Sequence, residues 1–212
     1  MSFSVLEKEV MVEGIDHLSS IDSKIKHLLN SFDVPELKVE KNYFWTLCRS
    51  IIYQQISGKA AKTIADRFLA LFSSGIKIRP LEILSTDINE FYGVGLSRQK
   101  AGYIKNIAEA FDKKIIDEKI IIKYNNNDII KTLTQIKGVG IWTAEMFLIF
   151  TLRRSDVFPV TDLGIQKGFQ ILYSLDELPT IDNMKNKSKY WRPYRSIMAL
   201  YLWYVVEGPF EW

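Results

Sequence analysis

Between Leu133 and Ala144 the chain has to reverse direction within three residues. A run with helical periodicity ends, Lys137-Gly138-Val139-Gly140 turns, and a strongly apolar helix begins at Trp142. Two glycines at this spacing tolerate positive φ and keep side chains away from the bend. The amides of such a turn and the first unpaired N–H groups of the following helix can converge on one anion. Simple helix–helix reversal accounts for the glycines equally well. Other glycine motifs fit worse. A dinucleotide fingerprint needs a preceding strand and a third glycine, and Thr143 stands in that place. A P-loop pattern is absent; Ser57-Gly58-Lys59-Ala60 resembles only its tail.

The segments around this turn predict a mostly α chain. Tyr43–Ile56, Lys59–Phe72, Ser97–Phe111, Ile129–Ile136, Trp142–Leu152, Thr161–Tyr173 and Arg195–Val206 place apolar residues at spacings of three and four. Arg79-Pro80 ends the first pair of helices. Ser85, Thr86 and Asp87 are candidate caps, as is the Asn125–Asp128 run. The best strand signals are Phe3–Val12 and the isoleucine run in Lys119–Lys123. Gly93-Val94-Gly95 echoes Gly138-Val139-Gly140, but two copies do not make a solenoid.

Composition narrows the chemistry. Cys48 is the only cysteine, which excludes an internal disulfide and a cysteine-ligated zinc or iron–sulfur site. His17 and His27 are the only histidines and lie far from the turn, so carboxylates, hydroxyls and lysines must carry any catalysis. Net charge is +3, unevenly spread. Residues 1–43 hold 5 Lys against 8 acids, and residues 44–212 hold 23 Lys and Arg against 17 acids. The later part suits an anionic polymer. No apolar run is long enough to span a membrane, and the first residues are too acidic for a signal peptide. The expectation is an intracellular protein, in cytoplasm, nucleoid or nucleus.

Four collinear segments carry a resemblance. They are Ser50-Ile-Ile-Tyr-Gln-Gln-Ile-Ser57, Gly95-Leu-Ser-Arg-Gln-Lys-Ala-Gly-Tyr-Ile104, Gly138-Val-Gly-Ile-Trp-Thr-Ala144 with Asp156-Val-Phe-Pro-Val-Thr-Asp162, and Trp191-Arg-Pro-Tyr-Arg through Trp203. Together they resemble the helix-hairpin-helix DNA glycosylases with a Gly/Pro-rich loop and a catalytic aspartate, in the branch of the 3-methyladenine DNA glycosylase II type. The resemblance implies an all-α, two-lobed fold with the catalytic cleft between the lobes. Residues 58–152 would form the middle lobe with the hairpin; residues 1–57 and 153–212 would form the other. It implies action on double-stranded DNA with a damaged base, chemistry for which a monomer suffices. The additional N-terminal domain of some relatives would be absent or reduced.

Residue by residue, the resemblance places the catalytic carboxylate on Asp162. A carboxylate there would stabilise an oxocarbenium-like sugar and orient water; an aspartate before a helix also serves as a cap, and both roles can coexist. Asp156 would have a supporting role. Bifunctional relatives carry a Schiff-base lysine where this chain has Trp142, so a one-step glycosylase is implied. Trp142, Trp191 and Tyr53 are candidates to receive a flipped, positively charged base, although each is also a plausible core aromatic. Trp45, Trp203 and Trp212 are read as structural. Gln54, Gln55 and Ser57 would face DNA, with Gln55 or Ile56 filling the gap left by the base. Lys137, Gly138, Val139, Gly140 and Thr143 would hold phosphate. Arg98, Lys100 and Lys105 are weaker phosphate candidates, since such residues usually form a solvated face. No cofactor is required, while a structural Na+ or K+ on hairpin carbonyls near Ile136 and Gly138 is permitted. Alternatives are a glycosylase for an oxidised or deaminated base and a DNA-binding module without catalysis.

Overall fold

Side chains that accept hydrogen bonds from the helix start punctuate the whole chain. The computed structural model describes residues 4–37, 39 and 41–208, and these form thirteen α-helices. Helix α1 spans Lys8–Ser19 and α2 Ser23–Asn30. Then come α3 (Tyr43–Tyr53), α4 (Gly58–Leu69), α5 (Pro80–Ser85), α6 (Ile88–Gly93), α7 (Arg98–Asp112), α8 (Glu118–Ile121), α9 (Asn126–Leu133) and α10 (Ile141–Met146). A π-helical turn, Phe147–Thr151, continues α10. The last helices are α11 (Leu163–Tyr173), α12 (Ile181–Lys187) and α13 (Arg195–Glu207). Asp22, Asn42, Ser57, Asp87, Ser97, Asp117, Asn125, Asp162 and Thr180 each cap the next helix. Each such cap contributes about 1 kcal/mol.

The all-α expectation holds, and both strand signals are corrected. Lys8–Ser19 is helical because Met11, Gly14 and Leu18 recur at helical spacing and are the buried positions. Only Val5 keeps a strand-like contact, an isolated antiparallel bridge to Arg154; Phe3 lies outside the described residues. In the isoleucine run, Asp117 caps a short helix that buries Ile121 and leaves Ile120 and Ile122 exposed.

The described residues divide into two compact units, one from residues 40–147 and one from residues 1–39 with 148–212. These boundaries differ from the expected 58–152. Helix α3 packs on α4, α7 and α10, so it belongs with the middle unit. The core of that unit is aromatic: Phe44 meets Phe111 edge-on, and Phe68 contacts Trp45, Phe72 and Phe91. In the other unit α13 is the central element. Every residue from Ser196 to Trp203 is buried, and the helix packs against α1 and α11. An apolar helix of this kind is covered on all sides. No helix among the described residues is long and apolar enough to cross a membrane.

Candidate active site

Asp162 sits at the start of α11, half-buried, at the end of a loop that leads on from the π-helical turn. Its Oδ1 accepts the Ile165 backbone N–H at 2.9 Å and the Trp203 indole N–H at 2.9 Å. The first bond is the helix cap; the second comes from α13, 41 residues later in the chain. Trp203 is itself fixed, 6% exposed and stacked on Phe150. A buried indole needs an acceptor for its N–H, and here that acceptor is the carboxylate. Gly164 makes the approach possible: a Cβ on it would lie 2.9 Å from the Trp203 ring and 3.1 Å from Asp162 Oδ1. Sequence reasoning missed both residues, although an indole inside one of the matching segments was a usable signal for Trp203.

The same helix anchors the loop's beginning. Ser196 Oγ donates to the Arg154 carbonyl at 2.6 Å and accepts the Val157 N–H at 2.9 Å. The Asp156 carboxylate accepts from Arg195 Nε at 2.5 Å and Nη2 at 3.1 Å, and from Arg192 Nη1 at 3.2 Å. Asp156 thus ties the loop to α13. Loop and carboxylate are clamped at both ends by one buried helix.

In the unit of residues 40–147, the hairpin forms between α9 and α10. Val139 N–H donates to the Ile136 carbonyl at 2.9 Å across Lys137 and Gly138, and Gly138 has φ +105°. This is the signature of a type II turn, where the third residue must tolerate positive φ. A Cβ on Gly138 would also run into the Tyr103 ring. Gly140 begins α10 with extended backbone and open space where a side chain would go; no side chain caps this helix. Lys137 is exposed, and its carbonyl accepts from Asn106 Nδ2 at 2.9 Å.

The structure separates the predicted DNA-facing residues into those that face solvent and those used internally. Gln55 and Ser57 are exposed; Ser57 also caps α4. Gln54 is instead a strut, its Nε2 donating to Thr143 Oγ1 at 2.9 Å and lying 3.5 Å from the Gly138 carbonyl. Thr143 is 1% exposed, so its side chain supports Gln54 and cannot reach a phosphate. The Val139 side chain is likewise buried and its N–H is given to Ile136, so the expected phosphate contact from Val139 is corrected to a turn-closing bond. Lys100 and Lys105 both turn inward. Lys100 Nζ donates to the Ile52 and Gln54 carbonyls, and Lys105 Nζ to those of Leu84 and Thr86. Arg98 remains exposed. Of the candidate pocket aromatics, Trp142 and Tyr53 are half-buried. Trp191 is corrected to a core residue: it is 1% exposed and packed against Phe158 and Phe169, with no open face for a base.

Comparison with known proteins gives the frame for this geometry. The chain is 36% identical over 211 residues to DNA-3-methyladenine glycosylase 1 of Schizosaccharomyces pombe, covering 96% of this chain and 92% of the relative. A solved structure of the S. pombe 3-methyladenine DNA glycosylase in complex with abasic DNA superposes with a TM-score of 0.86 at 34% identity, covering 94% of this chain and all of that one. A DNA-3-methyladenine glycosidase from Bacillus halodurans gives a TM-score of 0.78 at 29% identity over 98% of this chain and 93% of its own. Residues 48–193 match the model of the HhH-GPD superfamily base excision DNA repair proteins. With the hairpin, the loop and the clamped aspartate within or at the edges of that span, the chain belongs to the HhH-GPD superfamily of base excision DNA repair proteins.

Proposed function

We propose that this protein is a DNA glycosylase of the 3-methyladenine type that hydrolyses the N-glycosidic bond of alkylated purines in duplex DNA, releasing the free base and leaving an abasic site. The observation that carries the chemistry is the Asp162 carboxylate, fixed by a helix amide and the Trp203 indole N–H. As C1′–N bond cleavage builds positive charge on the sugar, a carboxylate held in one orientation stabilises it without reorganising. The same group can orient or deprotonate the attacking water. A base that already carries positive charge is a good leaving group, which suits catalysis by a carboxylate without a strong general acid. Relatives named for 3-methyladenine support this substrate class. The II-type assignment, with 3-methyladenine and 7-methylguanine as substrates, is part of the same proposal.

A one-step reaction follows from Trp142. An indole nitrogen cannot form an imine with the sugar, so the abasic strand should stay intact. The hairpin would hold a phosphate through the backbone amides of Gly138 and Gly140, with Lys137 adjacent, while the Val139 amide closes the turn onto Ile136. A monovalent cation would rest on the carbonyls of Ile136 and Gly138. Ile136 already accepts the Val139 N–H and retains a second lone pair, and no step above depends on the ion. A monomer suffices for this chemistry.

Asp162→Asn is the decisive variant, because asparagine caps a helix as well as aspartate does. Release of methylated purines from alkylated duplex DNA should fall by about a hundredfold or more. Melting temperature and affinity for DNA should stay near wild type. Joint loss of activity and folding would make Asp162 a structural cap; full activity in the variant would move the chemistry elsewhere.

A further inference from the structure

The end of α3 is held in an unusual way. The last carbonyls of a helix have no partner within it and carry the negative end of its dipole. At an exposed terminus water satisfies them. Here a lysine from another helix does so: Lys100 Nζ donates to the Ile52 carbonyl at 2.8 Å and to the Gln54 carbonyl at 2.7 Å. Lys100 is half-buried, and burial lowers its pKa from the ordinary lysine value. Placing an ammonium there therefore costs hydration that a water-filled terminus would not.

The neighbouring backbone accounts for this cost. Gln55, the next residue, has φ +58°, a left-handed conformation that an L side chain adopts only when its surroundings enforce it. Gln55 and Ile56 are exposed, Ile56 at 38%. The tip is fixed from both sides. Before it, Lys100 holds two carbonyls and Gln54 Nε2 binds Thr143 Oγ1. After it, Ser57 caps α4. Strained, exposed backbone held by half-buried polar contacts marks a preformed tool more than a connecting loop.

We infer that Lys100 is a positioning residue, one that holds the Gln55–Ile56 tip in the shape needed to enter the DNA stack when the damaged base leaves it. The inference rests on the proposed glycosylase function. It gives Lys100 a role opposite to phosphate contact: its charge faces the protein, and its effect on DNA passes through the tip. A tip of this kind matters when the lesion must be levered out of an intact pair, and much less when the opposing base is already missing.

The test compares single-turnover release of 7-methylguanine from two duplexes, one with cytosine opposite the lesion and one with an abasic site opposite. Lys100→Met keeps the aliphatic stem and removes the donor. Its rate on the paired duplex should fall about tenfold to a hundredfold relative to wild type, as expected for lost charge-assisted hydrogen bonds. On the opened duplex it should stay within about threefold. If Lys100→Met does not fold, Lys100→Gln is measured in the same two assays with the same expected ratio. Equal losses on both duplexes in a folded variant, or no loss on either, would overturn the inference. Wild-type protein inert on both would overturn the function and the inference together, which separates that failure from one specific to Lys100.

Discussion

Asp162 uses one oxygen for two structural bonds, and in the proposed reaction this ties reactivity to the aim of the side chain. Oδ1 holds the Ile165 amide and the Trp203 indole at once, so rotating the carboxylate breaks both. Trp203→Phe keeps an aromatic ring against Phe150 and removes the N–H together with the second ring of the indole. Base release should drop by about tenfold, the worth of one hydrogen bond to a charged group. DNA affinity should be unchanged, which single-turnover rates and a binding titration would show. A drop in affinity as large as the drop in rate would mean that Trp203 contacts DNA rather than the carboxylate. At this scale the place of Asp162 as a helix cap was legible in the sequence because a local run, Asp156 to Asp162, leads into the helix. Trp203 and Gly164 were not, because their roles depend on a contact between residues about 40 positions apart. The reading of Trp191 failed for a related reason: an aromatic in a matching segment has the same letter whether it faces a ligand or, as here, Phe158 and Phe169.

Among the elements, the two Gly-Val-Gly turns look alike in sequence and differ in construction. After α6 the second glycine, Gly95, takes positive φ, and the Leu96 and Gly95 amides donate back to Phe91 and Tyr92, a Schellman ending. In the α9–α10 hairpin the first glycine, Gly138, takes that role; the Val139 amide donates back to Ile136, with no wider second bond of the Leu96–Phe91 kind among the described residues. The first turn consumes its amides in ending a helix; the second leaves Gly140 and the start of α10 without a side-chain cap. The two glycines of the hairpin should respond differently to alanine. Gly138→Ala faces both the left-handed backbone and the Tyr103 ring, and should cost at least about 2 kcal/mol and weaken DNA binding whatever the base. Gly140→Ala meets open space and should change stability by less than about 1 kcal/mol. Thermal melts and affinity for undamaged duplex would check both; equal effects would contradict the turn geometry. The helices themselves were legible from periodicity, and most starts from their caps. Phe3–Val12 and Lys119–Lys123 were misread because short β-branched and apolar runs fit either period until packing chooses.

For the molecule as a whole, α13 concentrates burial and so sets a pH limit. Tyr201 is completely buried there, and its phenol is pushed up to about 12, by burial first and then by Tyr204 and Asp33. The folded chain holds this proton more tightly than the unfolded chain, whose tyrosine titrates near its ordinary value of 10.0. The stabilisation is therefore complete below about pH 10 and lost as pH rises toward about 12. Tyr201→Phe should flatten this fall by about 2 to 3 kcal/mol, seen as a smaller loss of melting temperature between about pH 9 and about pH 12. A slope identical to wild type would place the alkaline sensitivity elsewhere. Two-unit organisation was anticipated, but the boundary was not: whether Tyr43–Tyr53 joins one unit or the other depends on its contacts with α7 and α10, which periodicity does not encode. That division also orders the birth of the protein. Residues 40–147 are contiguous, so everything they need has left the ribosome once Phe147 emerges. Helices α1 and α2 are made first but must wait for α11 and α13, the partners they pack against. On a nascent chain the hairpin of α9 and α10 is therefore complete in sequence before Asp162 can meet the indole of Trp203.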